Sequence, residues 1–296
     1  MQVADVAKAI ELVTGYFREP HKLDRRAYIS NAKIDLALSG LELFFAAYGE
    51  GIFPETTPAQ LEGRRLHMAT LEPEEWRKVR CVHRFQDFRS PEAKAWLLRI
   101  ERENPGAVIM NHTEDLRYQR IVDRILSHRR AGQLIRESAT ELYGYARCPR
   151  TGMILHSRPD IRTKSGWIGD LKFVRNIDDF NREQFRQRWF MQLAFYNFVE
   201  GLITGQRQSG NCFWIAVEIK YPHRIAVLTM ESDYEKMGDV LWNDGLDRIL
   251  ECLERDPQMK NFEVWRAHSN KAREIKPEVW MVQNDQRFVD AISVGG

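Results

Sequence analysis

The sequence predicts an α/β protein: a mixed central β-sheet flanked by helices, with a mainly helical region ahead of it. Two observations carry this. Runs with apolar residues at helical spacing dominate residues 1–136, and short apolar-aromatic runs begin only after Glu137. Those later runs come in the order three strands, helix, two strands, helix, the alternation of a layered α/β core. At 296 residues, with eight Trp and fifteen Phe, the chain is long enough to bury a substantial core without staples. No linker compels a division, so 1–136, 137–255 and 256–296 read as helical region, core and tail of a single domain.

Taken in order, residues 4–17 read as a helix. The stretch YISNAKIDLALSGLELFFAAY reads as another, capped by Ser30, with Ile34, Leu36, Leu38 and Leu41 supplying apolar contacts. GEGIFPETTPAQ is a loop, and residues 60–79 resume the helical pattern. Residues 90–103 and 113–136 are helices, the second with Asp and Glu in its first turn, where the helix dipole favours them. ELYGYARC, GMILHSRPD and GWIGDLKFV are three consecutive strands, punctuated by Pro149, Gly152 and the KSG at 164–166. Residues 179–204 form a long helix, with Phe185, Trp189, Leu193, Tyr196 and Val199 at helical spacing. NCFWIAVEIK and HRIAVLTM are two further strands, 233–254 is a last helix, and the tail from Asp256 has only weak pattern.

A net charge of +2 does not by itself announce a nucleic-acid binder. The four cysteines are far apart, which disfavours disulfide scaffolds and zinc ribbons, and Cys212 within CFWIAV reads as core. No apolar stretch approaches the roughly 18–20 residues of a membrane span, and MQVADVAKAIELV lacks a signal peptide's basic start. The expectation is a soluble cytoplasmic protein without membrane contact.

Residues 158–172, RPDIRTKSGWIGDLK, carry the chemistry. If GMILHSRPD and GWIGDLKFV are neighbours in a hairpin, Asp160 ends one strand and Asp170 lies inside the next. Asp170 and Lys172, two apart on a strand, share a face that Asp160 reaches from next door. Two converging carboxylates repel unless a cation lies between them, and oxygen ligands without thiolate suit Mg²⁺ or Mn²⁺. The same spacing also suits a solvated surface hairpin, since D-x-K is a common tripeptide. Against that, Asp170 and Lys172 are embedded in the apolar run WIGDLKFV, and buried charges are disfavoured unless paired or metal-bound. Gln192 and Tyr196, four apart, stack on one helical face, either above this site or simply as core. From Arg158 to Arg175, five basic residues stand against two acids.

In this order, RPD, GDLK and QLAFY resemble the PD-(D/E)xK nuclease superfamily, in the arrangement of its exonuclease VIII (RecE-type) and λ-exonuclease-like phage branches. YISNAKIDLAL resembles the N-terminal iS-x-S helix of that family. GRRLHMATLEPEEW is similar to its G-x-x-x-H-x-x-x-L-E-P-E block, and the likeness runs over about residues 28–200. It implies a restriction-endonuclease-like core in a single nuclease domain. His67, Asp160, Asp170 and the Leu171 carbonyl would be metal ligands, Lys172 the catalytic lysine, and Gln192 and Tyr196 the Q-x-x-x-Y element. Glu141 falls at the additional acid, with Glu137 a competitor. Ser30 and Lys33 would meet a 5′ phosphate, although Asn31-Ala32 depart from the expected second serine.

The function implied is a Mg²⁺-dependent exonuclease, with Mn²⁺ able to substitute, that degrades the 5′ strand of duplex DNA and leaves 3′ overhangs for recombination. A structure-specific or endonucleolytic enzyme on the same core is the alternative, and a non-catalytic DNA-binding module a lower one. Arg158, Arg162, Lys164, Arg175 and Arg186, with Arg182 and Arg188, would track the backbone. Double-stranded DNA ends, a single-strand annealing protein and a ring-shaped homo-oligomer are the partners the resemblance implies. In the tail, Arg266 and His268 read as solvated rather than as DNA contacts.

Overall fold

The computed structural model describes residues 14–20 and 27–266. In chain order these form β1 (Gly15–Phe17), β2 (Tyr28–Ser30), α1 (Asn31–Ser39), α2 (Leu41–Tyr48), α3 (Pro58–Leu71), α4 (Pro73–Val79), β3 (Arg80–His83), α5 (Pro91–Glu103), β4 (Val108–Asn111), α6 (His112–Ser127), α7 (Arg129–Arg136), β5 (Ala139–Thr140), β6 (Tyr143–Arg147), β7 (Ile154–Ser157), β8 (Ile161–Arg162), β9 (Ile168–Val174), a 3-10 turn (Ile177–Asp179), α8 (Phe180–Arg186), α9 (Trp189–Thr204), β10 (Cys212–Glu218), β11 (Ile225–Thr229), α10 (Ser232–Arg255) and α11 (Phe262–Arg266).

The mixed α/β class is as expected. A five-stranded sheet runs β11-β10-β9-β8-β5, with β9 and β10 parallel and the other pairs antiparallel. Alternation along its strands splits the core in two. Ile168, Val174, Cys212, Trp214 and Ala216 pack toward α9 and α10. Leu171, Phe213, Ile215 and Val217 pack toward α3, α6 and α7 through Leu66, Ile121, Ile125 and Ile135. Each fully buried Ile, Leu, Val or Phe among them stabilises the fold by about 1.5–3 kcal/mol. A second sheet, β1-β6-β7-β2, lies against α9, so α9 is wedged between the two. A small parallel pair, β3-β4, is joined through α5. Among the described residues, no helix is long and apolar enough to cross a membrane.

Several expectations are corrected. Of the helix read over 4–17, residues 4–13 lie outside the described residues. Residues 15–17 are a strand paired with β6, where the Phe17 ring meets Tyr145 at 6.0 Å. The single helix over YISNAKIDLALSGLELFFAAY is a strand and two helices. Gly40, extended at φ 166° and ψ 131°, separates them, and Ser30 makes no side-chain cap bond. Pro73 divides 58–79. His128 turns extended and caps α7 through Nδ1 to the Ala131 N–H at 3.2 Å. Arg188, at φ 52°, separates α8 from α9 in a left-handed conformation held by its ion pair to Asp35 at 2.6 Å. The parallel pair β3-β4 gave no clear strand signal because each strand is only four residues long and is continuous with a helix at one end, β3 with α4 and β4 with α6. The tail packs: Trp265 is fully buried, stacked on Phe44 at 5.4 Å, and Arg266 closes α11, while His268 lies outside the described residues.

The correction that matters most concerns the hairpin. GMILHSRPD and GWIGDLKFV are not neighbours: β7 belongs to the four-stranded sheet, and the antiparallel partner of β9 is the two-residue β8. Asp160 sits where the chain leaves one sheet for the other, one residue before β8.

Candidate functional site

Asp160 and Asp170 nevertheless converge. The short β8 runs antiparallel to β9, and the Asp160 carboxylate folds over it to accept the Leu171 N–H at 2.6 Å. The same oxygen, Oδ2, lies 3.3 Å from Nδ1 of His67, which α3 presents from above. The His67 ring rests edge-on to Phe173 at 5.4 Å. Asp170, 2% exposed, points from the middle of β9 to the α9 face, and Lys172 follows on that face with Nζ 2.5 Å from the Asp170 Oδ2. Lys172 also donates to Gln192 Oε1 at 2.9 Å, and Gln192 Nε2 donates to the Tyr196 hydroxyl at 3.1 Å. The four-residue helical spacing thus aligns an amide and a phenol that fix the lysine from one side, with the Trp189 ring beneath Nζ at 5.2 Å.

The third acid is Glu141, between β5 and β6. Its backbone is left-handed at φ 56°, a conformation that costs a non-glycine residue on the order of 1 kcal/mol. Its N–H bonds the Asp160 carbonyl at 3.3 Å. Ligand atoms of His67, Glu141 and Asp160 all lie within 4.8 Å of one another. Glu137 is exposed and takes the Gln133 amide at 3.2 Å, so the structure brings Glu141, not its competitor, to the cluster. Asp170 stands outside that tightest group and reaches it electrostatically through Asp160 and His67. Leu171 lies in the site by its backbone: its N–H donates to Asp160, and its peptide group favours the protonated form of the His67 ring, against burial.

Burial sets the proton affinities. It lifts Asp170 to about 6, with Lys172 opposing and Asp160 reinforcing the shift. Burial raises Asp160 and Glu141 too; Lys172 opposes the first, and Asp160 adds to the second. His67 is pushed down to about 4, chiefly by burial, and is neutral near pH 7. Burial also raises the Tyr196 phenol. The buried Asp170 Oδ2 is held by the Lys172 ammonium. Two buried carboxylates, Asp160 and Asp170, and the half-buried Glu141, all pushed upward, beside a neutral imidazole, form a hard donor set that fits a divalent cation such as Mg²⁺ or Mn²⁺.

The expected DNA contacts fare unevenly. Arg158 is engaged inward, by Glu141 at 2.8 Å and Glu72 at 3.2 Å. Arg162 is held by Glu200 at 2.8 Å. Lys33 is 3% exposed, bonds the Tyr28 carbonyl at 2.6 Å and lies over the Tyr28 and Tyr48 rings. These three are built into the protein, as is Arg188, because each acidic or π partner comes from a different element, a proximity sequence cannot show. Lys164, Arg175 and Arg186 are exposed, as is Arg182, and Ser30 is half-buried at the start of α1. Glu72 was missed, although it stands in the quoted LEPEEW, only five residues from His67.

No family model and no curated protein matches the chain. Its fold is similar to the crystal structure of a protein from Eubacterium rectale named "Putative exonuclease", with a TM-score of 0.56 and 13% identity, over 88% of this chain and 93% of that one.

Proposed function

We propose that the protein is a divalent-metal-dependent nuclease of the PD-(D/E)xK type that hydrolyses phosphodiester bonds in DNA. The observation that carries this is the convergence of Asp160, Asp170 and Lys172 with His67 and Glu141, reached from two sheets and a helix. Glu141, Asp160 and His67 would hold one cation, and Asp170 would complete its shell or hold a second. When bound, the cation supplies a Lewis acid that stabilises negative charge on the scissile phosphate. Lys172, fixed between Asp170 and Gln192, presents an N–H to that phosphate or to the attacking water. His67 is neutral and free to offer a lone pair. Arg158 shields the cluster of acids and keeps it compact.

Within this class the exonuclease reading is supported by the motif resemblance and by the name of the E. rectale protein. Loss of the 5′ strand from duplex ends, a ring-shaped oligomer and an annealing partner follow from the motif resemblance alone. The test is nucleotide release from linear duplex DNA in Mg²⁺. Asp170→Ala and Lys172→Met each lower it by about 10²–10³-fold or more, and EDTA abolishes it. Release unchanged in Asp170→Ala overturns the mechanism. Circular plasmid left whole marks an exonuclease; a nicked or linearised plasmid marks an endonuclease.

A further inference from the structure

Arg158, two residues ahead of Asp160, joins two acids that the chain delivers from different elements. Its Nη2 donates to the Glu72 Oε1 at 3.2 Å, and its Nε lies 2.8 Å from the Glu141 Oε2. These two nitrogens share one edge of the planar guanidinium. Two carboxylates brought to one edge repel each other unless the cation stays between them. The Arg158 plane also rests over the Tyr143 ring, 4.7 Å from its centre.

Glu72 is the fixed end of this bridge. Pro73 disfavours an α conformation at the residue before it, and Glu72 stands at φ −127° and ψ 58° between α3 and α4. Its N–H donates to the Met68 carbonyl at 2.9 Å, and its own carbonyl accepts the Trp76 N–H at 2.9 Å. The adjacent Leu71 carbonyl takes the Thr140 hydroxyl at 3.2 Å, which ties the end of α3 to the residue just before Glu141. Glu141 is the adjustable end. It lies in a link between strands, on a left-handed backbone that persists only where its surroundings over-determine it. Among the described residues its ion pair is the one to Arg158. A guanidinium beside a metal ligand repels an incoming cation, but Glu72 offsets that charge. What remains is the order imposed on Glu141, and partners that orient metal ligands are worth roughly 10–100-fold in metal affinity.

We propose that Glu72 is a positioning residue for the candidate metal centre. Through Arg158 it fixes the Glu141 carboxylate, so that one oxygen stays with the guanidinium and the other is presented to the cation. The assignment rests on the reading of His67, Glu141 and Asp160 as a metal centre. The test is Mn²⁺ binding to the full chain without DNA, read from the electron paramagnetic resonance of free Mn²⁺. Arg158→Lys keeps the charge but not the planar fork, and binding weakens about tenfold. Glu72→Gln weakens it by a similar factor in the native chain and adds little in the Arg158→Lys chain, where the bridge is already broken. An acid acting by charge alone gives the same loss in both backgrounds; that result, or native affinity in Arg158→Lys, overturns the proposal. Urea unfolding checks that each variant is folded. Should Arg158→Lys fail to fold, Glu72→Asp takes its place: it keeps the charge and shortens the reach to Arg158, so weakened binding supports positioning and native affinity overturns it. A native chain that binds no Mn²⁺ removes the metal-centre reading and the positioning role with it. Mn²⁺ bound equally well by the native chain and every variant overturns the positioning role alone.

Discussion

Asp170 illustrates how one side chain couples the fold to its ligand. Burial raises its pKa to about 6 from an ordinary 3.8, so between these values the folded chain binds more protons than the unfolded one. The contribution of Asp170 to the stability of the cation-free protein is therefore fully present below about pH 4 and is lost as pH rises through about 6. Asp160 and Glu141, raised by the same burial, act in the same direction. A divalent cation binds the ionised carboxylates and competes with their protons, so its stabilising effect grows across the same window. Melting temperatures measured with EDTA and with Mg²⁺ should diverge with rising pH; parallel curves would mean that these acids do not share a cation. The acids and the lysine were legible in the sequence because charges inside WIGDLKFV need a reason. The inward roles of Arg158, Arg162 and Lys33 were not, since their partners Glu72, Glu141, Glu200 and Tyr48 come from other elements.

At the level of elements, β9 is positioned by what its glycine lacks. A Cβ on Gly169 would fall 2.2 Å from the Phe213 ring of β10, so the two strands pack there only because no side chain intervenes. Gly169→Ala should cost about 1–3 kcal/mol in urea unfolding and lower cleavage by displacing the adjacent Asp170. Phe213→Leu in the same chain should recover part of both, which a double-mutant cycle reads directly. Additive losses would show that the ring and the glycine are not coupled. Helical periodicity located most helical segments but not their breaks at Gly40, His128 and Arg188, which are set by single backbone dihedrals.

For the whole molecule, the decisive feature is that α9 lies between two sheets and carries Gln192 and Tyr196 to the site from that position. A buried polar network locks its far end. Glu235 of α10 accepts from Asn197 at 2.7 Å, Arg207 at 3.0 Å, Ser209 at 3.0 Å and the Gly210 N–H at 2.7 Å. Removing it leaves the buried Asn197 amide and the Gly210 N–H without this acceptor, while the exposed Arg207 keeps Asp239 at 2.8 Å, so Glu235→Ala should destabilise the protein by about 1–3 kcal/mol, measured by urea denaturation. A loss below about 1 kcal/mol would place the lock elsewhere.

By itself the sequence determined the α/β class, most of the segments and the residue types of the candidate centre, because periodicity and buried charge are local properties of the chain. Only the tertiary structure decided that β7 and β9 belong to different sheets, that Glu141 rather than Glu137 faces Asp160, and which cations turn inward. The reason is physical: strand pairing and ion pairing are contacts between residues far apart in sequence, and nothing in the local pattern encodes which distant partner will be met.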